Sequence, residues 1–537
     1  MGRRCAGALW AGRAAHWFLT LIAVLALVTP AAVAQDSARV VRKRTMYEDL
    51  QLFSQVLNQL RVNHPDSLDS HELIMAAIRG MVSAADPHSY VFAQYRLAPE
   101  KEKGFRERKM HPVPVNFAMV EGAPVVISVA PGTQAARLDI LPGDELVAVD
   151  GKPVPWESAA ELEVALAGAK NSTVRLTLER RRLDGSRVLL EREVKRERAG
   201  EESAVVASFM LDATTGYVRV ATFDSDKAAD DLHDALSLLE KSGMKRLVLD
   251  LRDNGGGLVE EAAKVAGEFL PKGAIVYTQK GRKAEVSDTG RVGRSFWSRE
   301  KRYPIVVMVN DGTASAAELV AGALQDHDRA LIVGRPTFGK SLLMQGFPLT
   351  DGSLVMLVVG HVQTPCGRVI QRRYHGISRR EYYRLAGAER DTAGRPSCKT
   401  MAGRTVYGGG GIYPDILFPE RDPAPLWLAR VQEDHLELKW IAGHLTAAGS
   451  AYPSLDALAA SPKAASGAVA DFRRFAVEQG VTIPEGSDVD ALLDRAIVRW
   501  VALAKWHDAG LYRIAAVQSG DVKRAVDAFA KAEGILK

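Results

Sequence analysis

The sequence predicts a multidomain α/β protein with helical regions at both ends, and three observations predict it. The chain has 537 residues, enough for roughly three domains of ordinary size. Two apolar runs, Arg246-Leu247-Val248-Leu249-Asp250-Leu251 and Ile305-Val306-Val307-Met308-Val309-Asn310, each stop at a glycine turn and pass into a helical pattern. Strand, turn and helix in that order form α/β layers whose functional groups sit past the strand ends. Residues 112–197 differ, because short alternating apolar runs are punctuated there by Pro-Gly and Asp-Gly pairs.

The ends read as helix. In the N-terminal region, residues 35–111, Leu50, Phe53, Val56, Leu57 and Leu60 recur at three- and four-residue steps. A second helix starts near Ser70, a suitable N-cap, and ends before Asp86-Pro87-His88-Ser89. His88 stands alone in that turn and reads as structural. The C-terminal region, residues 425–537, is mostly helical, with a Pro/Ser/Ala-rich break at 450–466. It could form a homodimer, cap the core or bind a regulatory partner.

Composition is ordinary and globular, with 47% hydrophobic and 25% charged residues. A net charge of +5 over this length does not call for nucleic acid. Arg180-Arg181-Arg182 and Arg372-Arg373 read as solvated faces, since no interleaved aromatics accompany them. Residues 1–34 read as a signal peptide: Arg3, Arg4 and Arg13 precede the apolar run 17–28, and Ala32-Val33-Ala34 suits cleavage before Gln35. The expected location is the periplasm, or the inner membrane facing the periplasm if the segment is retained. Cys5 leaves with that segment. Cys366 and Cys398 remain as an even pair, candidates for a disulfide in an oxidising compartment. Their spacing resembles no metal site, and no cofactor is expected.

Residues 112–197 resemble a PDZ domain. Expected strands at 113–120 and 124–129 lead to Pro142-Gly143-Asp144-Glu145-Leu146-Val147-Ala148-Val149-Asp150-Gly151, a helical piece at 156–166, and alternating Val174, Leu176 and Leu178. Such domains add a peptide as an extra strand and hold its terminal carboxylate on backbone N–H groups. The glycine-rich carboxylate loop is missing here. Pro112 and Pro114, in its place, have no N–H to give.

Two chemistries compete for residues 305–349. Gly334 to Ser341 matches the phosphate-binding pattern G-x-x-x-x-G-K-S, but that loop must open a helix, and Gly346 and Pro348 would cut one short. Alternatively, Ser315 is a nucleophile at a helix start among the small residues Ala314, Ala316 and Ala317. Lys340 is then its base, made neutral by burial, and Gly255-Gly256-Gly257 offers N–H groups to an oxyanion. From Ser315 and Lys340 alone, a helix cap and a surface lysine are the better explanation of the pattern, and only the wider set of motifs changes that weight.

The whole set of motifs resembles the C-terminal processing peptidases, or tail-specific proteases, a Ser–Lys serine-protease family (peptidase S41). The likeness covers residues 45–420 and runs through Asp86 to Ser89, the PDZ region, Asp250 to Gly257, and Thr313 to Glu318. It continues through Gln325-Asp326, Gly334 to Lys340, Thr364 to Gln371, and Gly411 to Ile416. The resemblance implies a crotonase/ClpP-like α/β protease core over 198–424, with a polar, basic insertion at 371–406. It implies Ser315 as nucleophile, Lys340 as general base, the N–H groups of Gly256 and Ala316 as oxyanion hole, and Asp326 in a charge relay. The family usually places a lysine-orienting glutamine four residues after the lysine. Met344 stands there, and Gln345 follows, on the opposite strand face unless a bulge re-aims it. The expected protein is an exported serine endopeptidase acting on envelope proteins or peptides, with the PDZ region engaging substrate or gating the site. The alternative is a catalytically impaired PDZ scaffold on a protease fold. N-terminal sequencing of the exported protein should find Gln35 first, and an intact Met1 would instead indicate a retained anchor.

Overall fold

The computed structural model describes residues 45–92, 110–120, 122–130, 133–153, 159–197, 203–293, 301–350, 353–377, 381–382, 384–385, 391–420 and 423–535. The expected signal segment lies outside them. The chain falls into two compact units, residues 1–78 and 79–537. Helix α1 (Met46–Asn63) opens the first on a capping box, in which Thr45 Oγ1 accepts from the Glu48 N–H and Glu48 accepts from the Thr45 N–H. Its Leu50, Phe53 and Val56 are exposed. Helix α2 spans Ser70–Ala85.

In the second unit, the turn after α2 is tied by Asp86, which accepts from the N–H groups of His88 and Ser89 and from the Ser89 hydroxyl. Strand β1 (Tyr90–Phe92) follows. The PDZ-like part contains β2 (Val115–Val120), β3 (Ala123–Val129), β4 (Glu145–Val149), β5 (Lys152–Pro153), α3 (Ala159–Leu166), β6 (Thr173–Arg181) and β7 (Arg187–Lys195). Its antiparallel sheet runs β2-β3-β4-β6-β7, with β5 on β4. Val126, Leu146, Leu162, Leu176 and Leu178 fill its core. The N–H of His111 is used by Gly168 O, and that of Val115 by Val113 O.

The expectation of a solvated Arg180 fails for a geometric reason. Side chains alternate along a strand, so Val174, Leu176, Leu178 and Arg180 share the buried face of β6. A buried guanidinium needs partners, and Arg180 reaches Asp144 at 2.7 Å and Asp139 at 3.2 Å.

The larger part follows as β8 (Val205–Met210), β9 (Thr215–Val220), α4 (Ala228–Lys241), β10 (Arg246–Asp250), α5 (Val259–Gly267), β11 (Ile275–Gly281) and β12 (Asp288–Arg291). It continues with β13 (Ile305–Val309), α6 (Ala316–Asp326), β14 (Leu331–Gly334), β15 (Leu342–Pro348), β16 (Leu354–Gln363), β17 (Ser397–Lys399), β18 (Thr405–Tyr407) and β19 (Ile416–Leu417). One sheet has the order β19-β14-β13-β10-β9-β8 and is parallel except for β8. A second holds β1, β16, β11 and β12, with β15 also on β16. A strand follows Ser341 where the phosphate-loop reading needs a helix, which removes that reading.

The continuous apolar runs are explained by burial on both faces of the parallel sheet. Leu247, Leu249, Val307 and Val309 pack with residues of α4, α5 and α6. Their neighbours Val248, Val306 and Met308 pack with Ala516, Val522 and Phe529 from the C-terminus. That region comprises α7 (Leu426–Glu433), α8 (Leu436–Ala448), α9 (Leu455–Ala460), α10 (Ala468–Glu478), α11 (Ser487–Val517, broken at Trp506 and His507), α12 (Gly520–Asp527) and α13 (Phe529–Ile535). It has its own core around Trp440, Phe472 and Leu493, and its last helices cap the sheet.

The polar stretch 371–406 carries the β17–β18 hairpin and two wholly internal side chains, Arg372 and Tyr382. Arg372 is therefore not on a solvated face. Its guanidinium donates to Phe338 O at 3.2 Å and Gly410 O at 3.0 Å, tying two glycine-bearing loops together. A disulfide joins Cys366 and Cys398. No helix among the described residues is long and apolar enough to cross a membrane. Phe529→Ala should destabilise the protein by about 3–5 kcal/mol in denaturant unfolding, because the buried ring completes the second face of the sheet. An unchanged midpoint would show that the C-terminal helices do not complete that core.

Candidate active site

Three loops leave the same edge of the sheet. Residues 251–258 follow β10, 310–315 follow β13, and 335–341 follow β14. The parallel register sets Asp250 beside Met308 and Val309 beside Gly334, so the loops emerge side by side. The base of the first is anchored by Asp250, which lies between Arg219 and Arg252. Burial opposes its charge, but the two guanidiniums win and hold the carboxyl well below the usual range. Asn310 ties the first two loops, accepting from the Asp253 and Gly312 N–H groups and donating to the Asp253 carboxylate at 2.7 Å.

Ser315 occupies φ 55° and ψ −121°, a conformation that costs a non-glycine residue roughly 1–3 kcal/mol and is held by its neighbours. It caps α6, and the side chain is partly exposed. Gly256, at φ 99°, lies directly against it. A Cβ there would fall 2.7 Å from Ser315 Cβ and 2.8 Å from Ala316 N, so only glycine permits this approach. The Gly256 N–H donates to Asn254 Oδ1 at 2.9 Å.

Glu318 links nucleophile and base candidates. It sits one helical turn after Ser315 and is wholly buried. Its Oε2 accepts the N–H of Ser315 at 2.9 Å and the N–H of Lys340 at 2.8 Å. Its Oε1 accepts the N–H of Gly339 at 2.8 Å and the Thr337 hydroxyl. One carboxylate thus holds the Ser315 and Lys340 backbones together. Burial pushes its pKa up to about 7, against those four hydrogen bonds, which favour the carboxylate. The Lys340 amine is partly buried; desolvation lowers its pKa, opposed by the negative charges of Glu318 and Asp86.

Ser315, Ala316, Gly256 and Lys340 are thus brought to one place. Asp326 and Gln345 are not. Asp326, at the end of α6, pairs with Arg368 at 2.8 Å and accepts the Cys366 N–H at 3.1 Å. Its described bonds brace the strand end at 364–368, and none reaches Ser315 or Lys340. Gln345 is exposed on β15. The sheet does shift register between Leu343 and Met344, but the extra residue, Val359, is on β16. The alternation along β15 is therefore unbroken, and Gln345 is not re-aimed. The sequence reading gave no role to Glu318, to Gln371, whose Oε1 accepts the Ser341 N–H, or to Tyr382, whose hydroxyl donates to Gly339 O. Glu318 had a signal, since Ser315-Ala316-Ala317-Glu318 is the Ser-x-x-Glu capping pattern. Tyr382 had none.

The chain is similar in sequence to known proteins. A model of peptidase family S41 matches residues 214–379, and a PDZ-domain model matches residues 125–180. The carboxy-terminal-processing protease of Bartonella bacilliformis is 31% identical over 337 residues, covering 61% of this chain and 74% of that protein. The carboxy-terminal processing protease CtpA of Bacillus subtilis is 32% identical over 319 residues, covering 59% of this chain and 65% of that protein. Among solved structures, the photosystem II D1 C-terminal processing protease is 26% identical, with 73% of this chain and 92% of that chain covered and a TM-score of 0.33.

Glu318→Gln turns an amide NH2 toward groups that are themselves donors. Each donor left unpaired should cost roughly 1–3 kcal/mol, read as a lower unfolding midpoint. The pH dependence has a defined sign. A pKa near 7, above the ordinary 4.5, means the folded state holds the proton more tightly. This contribution is complete below 4.5 and is lost as pH rises through 7. Melting temperature should therefore fall less steeply between those values in Glu318→Gln than in wild type, and parallel profiles would contradict the assignment.

Proposed function

We propose, for a chain that belongs to peptidase family S41, the carboxy-terminal-processing serine proteases, that it is an exported endopeptidase working through a Ser315–Lys340 dyad. The observation that carries this reading is the single Glu318 oxygen that accepts the N–H groups of both residues. Export to the periplasm is supported by the sequence of residues 1–34, and a retained segment would leave the enzyme anchored there.

The proposed reaction is acyl transfer. Neutral Lys340 Nζ takes the Ser315 hydroxyl proton as Oγ attacks the substrate carbonyl carbon, forming a tetrahedral oxyanion. The Ala316 N–H, in the first turn of α6, is free of an intrahelical partner and suits that oxyanion. The Gly256 N–H is its second donor and must shift from Asn254 Oδ1 or be shared with it. Collapse expels the leaving amine, which takes the proton from the lysine ammonium. Water then adds to the acyl-enzyme with Lys340 again as base, and Ser315 is restored. Substrates are proteins or peptides, envelope proteins in the proposed compartment, and residues 112–197 engage them or gate the site. Asp326 acts as a brace in this scheme, not as a relay.

The exposed position of Gln345 favours a rival, an impaired PDZ scaffold on a protease fold. Unfolded protein substrates separate the two. Ser315→Ala and Lys340→Ala should each lower kcat by roughly a thousandfold or more with the fold intact. Wild-type protein that cleaves nothing would establish the scaffold, and full activity in Lys340→Ala would remove the dyad. In wild type, the rate should rise with pH as Lys340 deprotonates, with a midpoint below the ordinary 10.5 because desolvation lowers it.

A further inference from the structure

The resemblance leaves the orientation of Lys340 unexplained, since Met344 replaces the usual glutamine and Gln345 is exposed. We propose that Gln371 and Tyr382, at the start of and within the 371–406 segment, are the positioning residues of Lys340. The inference rests on Lys340 as the general base.

Both peptide groups flanking Lys340 are held by this pair. On the C-terminal side, the Ser341 N–H donates to Gln371 Oε1 at 2.9 Å. On the N-terminal side, the Tyr382 hydroxyl donates to Gly339 O at 3.0 Å. The two side chains meet each other, as Gln371 Nε2 donates to Tyr382 Oη at 3.0 Å and to Arg372 O at 2.9 Å. A continuous hydrogen-bonded chain therefore runs from Ser341 through Gln371 and Tyr382 to Gly339 and encloses the lysine between its ends. Gly339 O also accepts the Arg372 N–H at 2.8 Å, so the start of the segment grips the same carbonyl.

Tyr382 is rigidly seated. It is wholly buried, with its ring set edge-on to His88 at 4.7 Å and to Phe338 at 5.5 Å. The segment that carries it is tethered, because the Cys366–Cys398 disulfide closes the chain around it and the Cys366 N–H is fastened to Asp326. Lysine has a long, flexible stem, and a base loses rate when its amine samples unproductive positions. Fixing the backbone on both sides limits that sampling and keeps the amine partly desolvated. Neither residue needs to touch the reacting atoms, so both are positioning residues.

The test compares Tyr382→Phe, which keeps the ring and removes the hydroxyl, with Gln371→Ala, Lys340→Ala and wild type on one peptide substrate. Tyr382→Phe should lower kcat roughly three- to tenfold, the worth of one buried hydrogen bond, with KM unchanged. Its pH–rate midpoint should move upward, as a looser, better hydrated Lys340 holds its proton more firmly. Gln371→Ala should shift both quantities in the same direction. Wild-type kcat and midpoint in both variants, with Lys340→Ala inactive, would overturn this inference and leave the dyad standing. A fall in kcat with an unmoved midpoint and a lowered melting temperature would mark a merely structural role and also overturn it. Full activity in Lys340→Ala would remove the dyad and this inference with it.

Discussion

The site depends on one buried carboxylate. Glu318 accepts three backbone N–H groups and one hydroxyl, from a helix start and the loop 335–341. A buried carboxylate is costly unless its lone pairs are met, and a buried N–H is costly without an acceptor. Neither side is satisfied without the other, so the arrangement is cooperative. The Ser315 backbone, in a conformation it would not choose alone, and the Lys340 backbone share that solution. The same negative charge opposes the desolvation that lowers the lysine pKa. Positioning and base strength are therefore in tension at this point. A protonated Glu318, accessible with a pKa near 7, would relax that tension but weaken the grip on its donors.

Around that carboxylate, each layer contributes a different constraint. The parallel sheet brings three loops to one edge by its strand order. Gly256 lets the first loop lie against Ser315 with no side chain between. The C-terminal helices reach the same edge through Asp521, whose carboxylate is 2.9 Å from Arg335 and 3.9 Å from Arg252. The guanidiniums at the starts of two active loops thus face one acidic group on α12. The tail is part of the site's support as well as of the core.

Much of this was legible. Strand and helix placement followed from periods of two and 3.6, and Ser315 and Lys340 stood out at the turns after apolar runs. Two surface readings failed. Arg180 and Arg372 were read by charge alone, yet strand alternation buries the first and two loop carbonyls capture the second. Asp326 and Gln345 carried roles borrowed from a family pattern. Their described surroundings are a buried Arg368 and open solvent.

By itself, the sequence determined which segments become strands and helices, where the glycine turns fall, and that Ser315 would cap a helix with Glu318 one turn on. These are local properties, set by periodicity and backbone freedom within a few residues. The tertiary structure alone decided that Glu318 would also meet Lys340, 22 residues away, and that Arg180 would find Asp144, 36 residues away. It likewise decided that Tyr382 would close over Gly339, 43 residues back. Such contacts depend on strand order and on loop paths between elements. A buried polar group accepts whichever partner that geometry supplies, and no local pattern announces the choice.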